Sequence, residues 1–222
     1  MNFLKRLPIH YKGELHDVRL VNFSVSIEEV AGMVPAGIKV RDFNGRAMIS
    51  MVDVKLSDMR PVPYPFPGFS YRHVAFRLLV DDSQYNGGSA KGIFFLRSFT
   101  DKPLIVLGGR LMTDYNLERA MISEIDDEVT ITQGANRVRY SLDGASTLMN
   151  EMLHDTIGAL DRAYAVLGDS IRVTQIQRER WPIQLVDCNV FENTFFKTAR
   201  FEGAFRVPET IYYHWLPPKV VA

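Results

Sequence analysis

The chain has one cysteine, Cys188, in 222 residues. An intrachain disulfide is therefore excluded, and the usage fits a reducing compartment. Surplus charge is missing too: Lys plus Arg total 26, and Asp plus Glu total 26. Without a net field of either sign, the chain lacks the attraction that supports binding to nucleic acid or an anionic membrane, and neither is expected as a partner. No apolar run reaches the roughly 18 residues that a membrane-spanning helix needs. Met1 to Lys12 opens with charge but continues only in broken apolar pairs, interrupted by Arg6, Pro8 and His10, which is unlike a secretion signal. A cytoplasmic protein is the expectation.

Several chemistries lack their motifs. There is no Gly-x-x-x-x-Gly-Lys-Ser/Thr loop, no Gly-x-Gly-x-x-Gly fingerprint and no Gly-x-Ser-x-Gly elbow. The tripeptide Ser89-Ala90-Lys91 is too common to mark a Ser/Lys dyad. His10, His16, His73, His154 and His214 stand singly, with no His-x-x-x-His or Cys-x-x-Cys pair, so any metal site would have to be assembled by folding. Neither a metal nor a cofactor is expected. Cys188 sits in an apolar run and reads as a buried, inert thiol.

What is present describes a globular chain: 46% hydrophobic and 23% charged residues, expected to form one domain over residues 1–222. Ser26-Ile27-Glu28-Glu29 is a capping box, with Val25 and Val30 placed to staple it, so a short helix should start there and stop near Gly32. Arg46 to Lys55 alternates as a strand, with Ala47, Ile49, Met51 and Asp53 on one face and Met48, Ser50, Val52 and Val54 on the other. Pro61, Pro63, Pro65 and Pro67 then make a stiff extended connector, readable as a loop pinned across a sheet or as a ligand for proline-recognising modules. Tyr71 to Val80 and Lys91 to Ser98 read as antiparallel strands joined around Asn86-Gly87. Pro103 to Leu107 reads as a short apolar strand, with a helical turn expected around Leu117 to Ile122. Val129 to Tyr140 forms a hairpin about Gly134-Ala135-Asn136. The main helix should start at Ser146. It ends near Leu160 if Gly168-Asp169 is a hairpin turn, or near Leu167 if Gly168 is its C-terminal glycine. Aromatic and β-branched residues make the tail further strand. The pattern predicts an α+β fold, mostly antiparallel, with a curled or closed barrel-like sheet and one main helix.

One strand carries chemistry on a single face. Val74, Phe76, Leu78 and Val80 are apolar, while Tyr71, His73 and Arg77 share the other side. On the next strand Arg97 shares a face with Lys91, Ile93 and Phe95. If that face lines the inside of a curled sheet, His73, Arg77 and Arg97 converge on a cavity able to hold a carboxylate or polarised carbonyl; if it faces water, they are ordinary cross-strand pairs.

Val34-Pro35-Ala36-Gly37, the proline connector, His73-x-x-x-Arg77, Gly92-Ile93-Phe94-Phe95-Leu96, Gly109-Arg110, Trp181-Pro182-Ile183-Gln184 and Asn193-Thr194 follow in an order that resembles the uncharacterised YqjF-like family allied to acetoacetate decarboxylase. The resemblance implies a β-rich cone or barrel around a small-molecule cavity, and it favours the Gly168-Asp169 hairpin. It is also compatible with homo-oligomers. Acetoacetate decarboxylases use a Schiff-base lysine whose pKa is lowered by its pocket, a mechanism that general enzymology already takes from that enzyme. Aligned on Gly109-Arg110 and Ala120, the family's lysine pair falls on Leu117 and Glu118, and no lysine lies between Lys102 and Lys197. A Schiff-base decarboxylase is thus not expected. The family's pocket glutamate is replaced by His73, and Arg77 keeps the YqjF-like pattern.

The leading expectation is a small-molecule-binding protein that holds a carboxylate or carbonyl compound through His73, Arg77, Arg97 and Arg110, with Tyr115 added by position in the resembling segment. A second reading is a non-imine lyase or hydrolase with His73 as general acid or base and an arginine stabilising negative charge. The third is a structural subunit with a filled interior.

Overall fold

The computed structural model describes residues 5, 9–63, 67–88, 90–114, 116–146, 151–178 and 181–222. In chain order they form β1 (His10–Ser26), α1 (Ile27–Ala31), β2 (Lys39–Val40), β3 (Asp42–Phe43), β4 (Arg46–Val62), β5 (Phe69–Asp81), α2 (Ser83–Asn86), β6 (Gly92–Thr100) and α3 (Pro103–Met112). There follow β7 (Leu117–Arg119), β8 (Met121–Ile125), β9 (Glu128–Gln133), β10 (Asn136–Ala145), α4 (Glu151–Gly158), β11 (Arg162–Leu167), β12 (Ser170–Arg178), β13 (Gln184–Asn193), β14 (Arg200–Val207), β15 (Ile211–Trp215) and β16 (Lys219–Val220).

Seven strands close a barrel in the order β1-β4-β5-β6-β11-β12-β15 and back to β1. Only β6 and β11 run parallel within it, which makes the barrel mixed. This is the closed, mostly antiparallel α+β sheet expected from the strand pattern. Strand β1 serves two layers: Tyr11–Leu15 pair with β15, and Val18–Ser24 pair with β14. The change of partner falls where the β1–β4 register slips between His16 and Arg19, and Asp17 there has φ 49°. Asp tolerates this left-handed backbone better than a bulky residue, so the bulge bends the strand. From β14 the sheet continues through β13, β10, β9 and β8 and lies over the outside of the barrel.

Alternation along each barrel strand therefore feeds two cores. Val21 and Phe23 of β1, Ile49 and Met51 of β4, and Val74, Phe76 and Leu78 of β5 pack outward against Val129, Ile131, Val138 and Tyr140. Leu20, Val52, Val54, Ala75 and Leu79 point into the lumen. The two faces predicted for the strand after Arg46 are the faces observed.

Local expectations differ in outcome. Ser26 caps α1 through the Glu29 amide, but the Glu29 carboxylate accepts from the Lys197 amide at 2.5 Å and the Thr198 amide at 3.0 Å instead of reaching back. The box is half used for capping and half for tying down a distant loop. Asn86-Gly87 is no tight hairpin: Ser83–Asn86 makes a helical turn that Gly87 closes with φ 76°. Gly168, φ 64°, does form the β11–β12 hairpin, so α4 stops at Gly158. Of the expected start at Ser146, residues 147–150 lie outside the described residues, as do residues 64–66 of the proline connector. Pro61 and Val62 extend β4. Two expectations are corrected. Pro103 to Leu107 is the first half of α3, with Pro103 at a helix start where its missing N–H costs nothing, and Leu117 to Ile122 is strand in β7 and β8.

A charge cluster fastens the outer layer to the barrel. Arg72 binds both oxygens of Asp53 at 2.8 and 2.6 Å, and reaches Glu124 of β8 at 2.8 Å. Arg19 holds the other Glu124 oxygen at 2.7 Å, and the Tyr140 hydroxyl of β10 donates to Asp53. Burial works against the Arg72 charge, but the bonds to Asp53 outweigh it and raise its pKa. Burial and the adjacent Asp53 charge hold the Tyr140 phenol well above its ordinary value, so it stays a donor. Replacing Asp53, which is 2% exposed, leaves the buried Tyr140 hydroxyl without its acceptor and Arg72 with Glu124 alone. Asp53→Ala should lose about 3–5 kcal/mol in urea unfolding, the cost of breaking a buried pair from one side.

Candidate functional site

The barrel lumen is filled unevenly. At one end Leu153 and Ile157 of α4, with Leu160, Trp181 and Ile183, pack against Leu20, Leu79 and Phe205. At the other end lies a cavity of about 770 Å³, and each of the seven barrel strands contributes to its wall. Small residues keep it open on one side: Ala163 and Ala165 of β11 face the large side chains of Tyr11, Met59, Phe95 and Trp215. Helix α3 lies along the mouth, with Leu104, Ile105, Gly108, Gly109 and Met112 lining it. Gly109 permits this position, because a Cβ there would sit 2.8 Å from the Leu117 Cδ2. Leu117 itself belongs to the wall.

Charge on the described wall is sparse. Among the described residues, the ionised groups on the wall are Lys5 and Asp114, and Asp114 is paired with the buried Arg172 at 2.9 Å. Burial raises the Asp114 carboxyl and the Arg172 charge only partly offsets this. Deeper in, the polar groups are the hydroxyls of Tyr11, Tyr71, Thr174 and Tyr213 and the imidazole of His73. His73 is 8% exposed. Its burial first, and the charge of Arg77 second, hold its pKa down at about 4. At neutral pH it is therefore an uncharged ring, able to donate one hydrogen bond and accept another.

Arg77 shares the lumen face with His73 but lies beyond the wall, toward α4. Its guanidinium donates to the Ser50 carbonyl at 3.2 Å and the Ser50 hydroxyl at 2.7 Å, and stands 5.8 Å from the Trp181 ring. Arg178 covers the same ring at 4.3 Å and caps the carbonyls of Gly158 and Leu160. No carboxylate pairs with Arg77 among the described residues. Burial and the neighbouring Arg178 charge lower its pKa to about 9, so it remains a cation at neutral pH.

The structure thus brings His73 and Arg77 together and places the other sequence candidates elsewhere. Arg97 leaves the lumen face because the β5–β6 ladder bulges: Phe76 pairs with Arg97 but Arg77 pairs with Phe95, leaving Leu96 as the extra residue. Its side chain bonds Gln133 at 3.1 Å and lies over Phe195 in the outer layer. It therefore does not share the face of Ile93 and Phe95. Arg110 is exposed on α3 and donates to the Leu117 carbonyl. Tyr115 lies outside the described residues. Lys91 precedes β6 and is not among the residues of the wall. Sequence reasoning missed Tyr11, Tyr213 and Trp215; the Ile211-x-Tyr213-x-Trp215 alternation was the signal that could have found the last two.

The described residues contain no group of His, Cys, Asp and Glu suited to a metal, and no helix long and apolar enough to cross a membrane.

Solved structures share this architecture. An enduracididine biosynthesis enzyme, MppR, complexed with pyruvate is 12% identical with TM-score 0.60, covering 99% of this chain and 92% of its own. An acetoacetate decarboxylase-like enzyme from Sphingomonas wittichii is 11% identical with TM-score 0.58 over 96% and 94% of the two chains. Acetoacetate decarboxylase from Legionella pneumophila is 11% identical with TM-score 0.60 over 96% and 87%. At such identities the likeness is one of fold. No curated protein matches the chain. A family model does match, over residues 12–217, and with the barrel it settles the affiliation: the chain belongs to the DUF2071 family of uncharacterized conserved proteins and has the acetoacetate decarboxylase-like fold.

Proposed function

We propose that the barrel cavity is a binding site for a carbonyl compound, held by the neutral His73 imidazole and the tyrosine hydroxyls, without imine chemistry. The observation that carries this reading is a mostly apolar pocket whose one imidazole sits in the positive field of Arg77. Such a field favours the negative end of a carbonyl dipole, and a buried hydrogen bond to it both orients the ligand and rewards its presence. That structural neighbours of the same fold were solved with pyruvate and with a condensation product of pyruvate bound is consistent with a carbonyl ligand.

The position aligned with the family's lysine pair supports the non-imine part. Leu117 presents an alkyl side chain to the cavity, while Glu118 turns to Gln133 and Asn116. An alkyl group forms no Schiff base. A role for His73 as proton donor near neutral pH is disfavoured because burial keeps it unprotonated there, and this places the binding reading ahead of the enzymatic one.

Three outcomes follow. Borohydride reduction with acetoacetate should leave the wild-type mass unchanged, whereas L117K, which puts an amine in an apolar pocket, should gain the reduced adduct. A wild-type adduct, with Lys5 the first residue to map, would overturn the non-imine reading. His73→Phe keeps a ring of similar volume and removes both nitrogens, so carbonyl ligands should bind about tenfold more weakly by calorimetry; unchanged affinity would remove His73 from the site. Finally, folded His73 takes a proton near pH 4 whereas the ordinary value is 6.5. Above pH 6.5 both states are neutral and the group has no effect. As pH falls from 6.5 to 4, only the unfolded chain is protonated and stability is lost. Wild-type protein should therefore lose about 3 kcal/mol more than His73→Phe between pH 7 and pH 4 in urea titrations.

A further inference from the structure

We infer that the ligand is a bulky, mostly apolar neutral carbonyl compound, bound with its carbonyl at His73 and its hydrocarbon body running to the α3 mouth. The inference rests on reading the cavity as a ligand site and names the class of molecule that fits it.

Volume argues first. At roughly 30 Å³ per water, a cavity of about 770 Å³ has room for some two dozen waters, and a three-carbon keto acid would leave most of that space wet. The wall does not suit such water. The side chains of Leu56, Met59, Phe69, Phe95, Ile105 and Leu216 offer no strong hydrogen bonds, so hydrocarbon in contact with them is favoured over solvent. A drug-sized ligand fits this volume.

Charge argues second. The described wall presents hydroxyls and a neutral imidazole, with Lys5 and Asp114 its ionised groups. A free carboxylate drawn inside beside His73 would lose its hydration with Lys5 the one cation on the described wall and Asp114 of like charge, a penalty that a neutral carbonyl avoids. Arg77 polarises His73 from behind without being part of the wall, which suits an oxygen with partial charge.

The mouth argues third, and it sets the direction. Leu104, Leu107 and Leu111 of α3 are 82%, 58% and 41% exposed, and Leu104 also lines the cavity. The apolar wall thus continues onto the surface at α3. The opposite end of the lumen is packed solid by α4. A hydrocarbon body can extend outward past α3.

Gly108 supplies a steric ruler. It lines the cavity, and a Cβ built there meets no atom within 4 Å. Gly108→Leu therefore shortens the cavity at its mouth without clashing, and exchanges a helix-weakening residue for a helix-favouring one. The test is displacement of the neutral fluorophore N-phenylnaphthylamine from the full-length protein by methyl ketones from butanone to undecanone, with pyruvate and acetoacetate alongside. Affinity should rise about fourfold per added methylene until the cavity is full. Gly108→Leu should leave pentanone within about twofold of wild type and weaken undecanone about tenfold or more.

Tighter binding of pyruvate or acetoacetate than of the long ketones would overturn the inference and leave the carbonyl site standing. Equal weakening of short and long ketones in Gly108→Leu would overturn the orientation. If neither fluorophore nor any ketone or keto acid binds, the ligand-site reading falls as well.

Discussion

Closing seven strands into a ring removes every free edge between them and obliges each strand to bury two faces rather than one. The inward face must be filled by side chains or by something else, because the lumen is too wide to collapse. Helix α4 with Trp181 and Ile183 fills it at one end. At the other the chain places alanines on β11 and lays α3 along the rim instead of inserting a second plug, so a hollow of about 770 Å³ persists. The cavity is thus a consequence of closure combined with asymmetric filling. No separate device is needed to create it.

The same closure explains where charge resides. Buried lumen positions such as 73 and 77 are cut off from bulk water, so an ionised group placed there needs a partner or loses charge. His73 takes the second course and is neutral. Arg77 keeps its charge by bonding Ser50 and lying against the Trp181 ring, outside the cavity wall. The paired carboxylates and guanidiniums are displaced to the outer face of the barrel, where Asp53, Arg72, Glu124 and Arg19 join the two layers. The hydroxyls and the imidazole in the hollow are uncharged, while the joint between the two layers rests on charges outside the cavity wall.

How much of this was legible in the sequence follows from the range of each interaction. Alternation and capping chemistry are local, so the strand faces around Asp53 and His73 and the Ser26 cap could be read directly, whereas Gly168-Asp169 suits a hairpin and a helix end equally and only the resemblance favours the hairpin. Helix α3 could not: Pro103 to Leu107 is uniformly apolar and has no period that separates a buried strand from a helix lying on a cavity mouth. The position of Arg97 failed for a different reason. A single extra residue at Leu96 reverses every side chain after it, and a bulge leaves no mark in period-two counting. The hydroxyls of Tyr11 and Tyr213 come from strands at opposite ends of the chain, and only the closed barrel brings them to one wall.

Leu117 shows why the fold and the chemistry must be read separately. β7 runs beside β6, Gly109 admits the helix, and the side chain at 117 reaches the cavity. What is delivered to that place is a branched alkyl group. An amine there would have to be kept deprotonated by its surroundings in order to react, whereas leucine simply adds to the apolar wall and enlarges the part of a ligand that hydrocarbon contact can hold. The hollow is made by closure of the barrel, whichever side chain stands at 117.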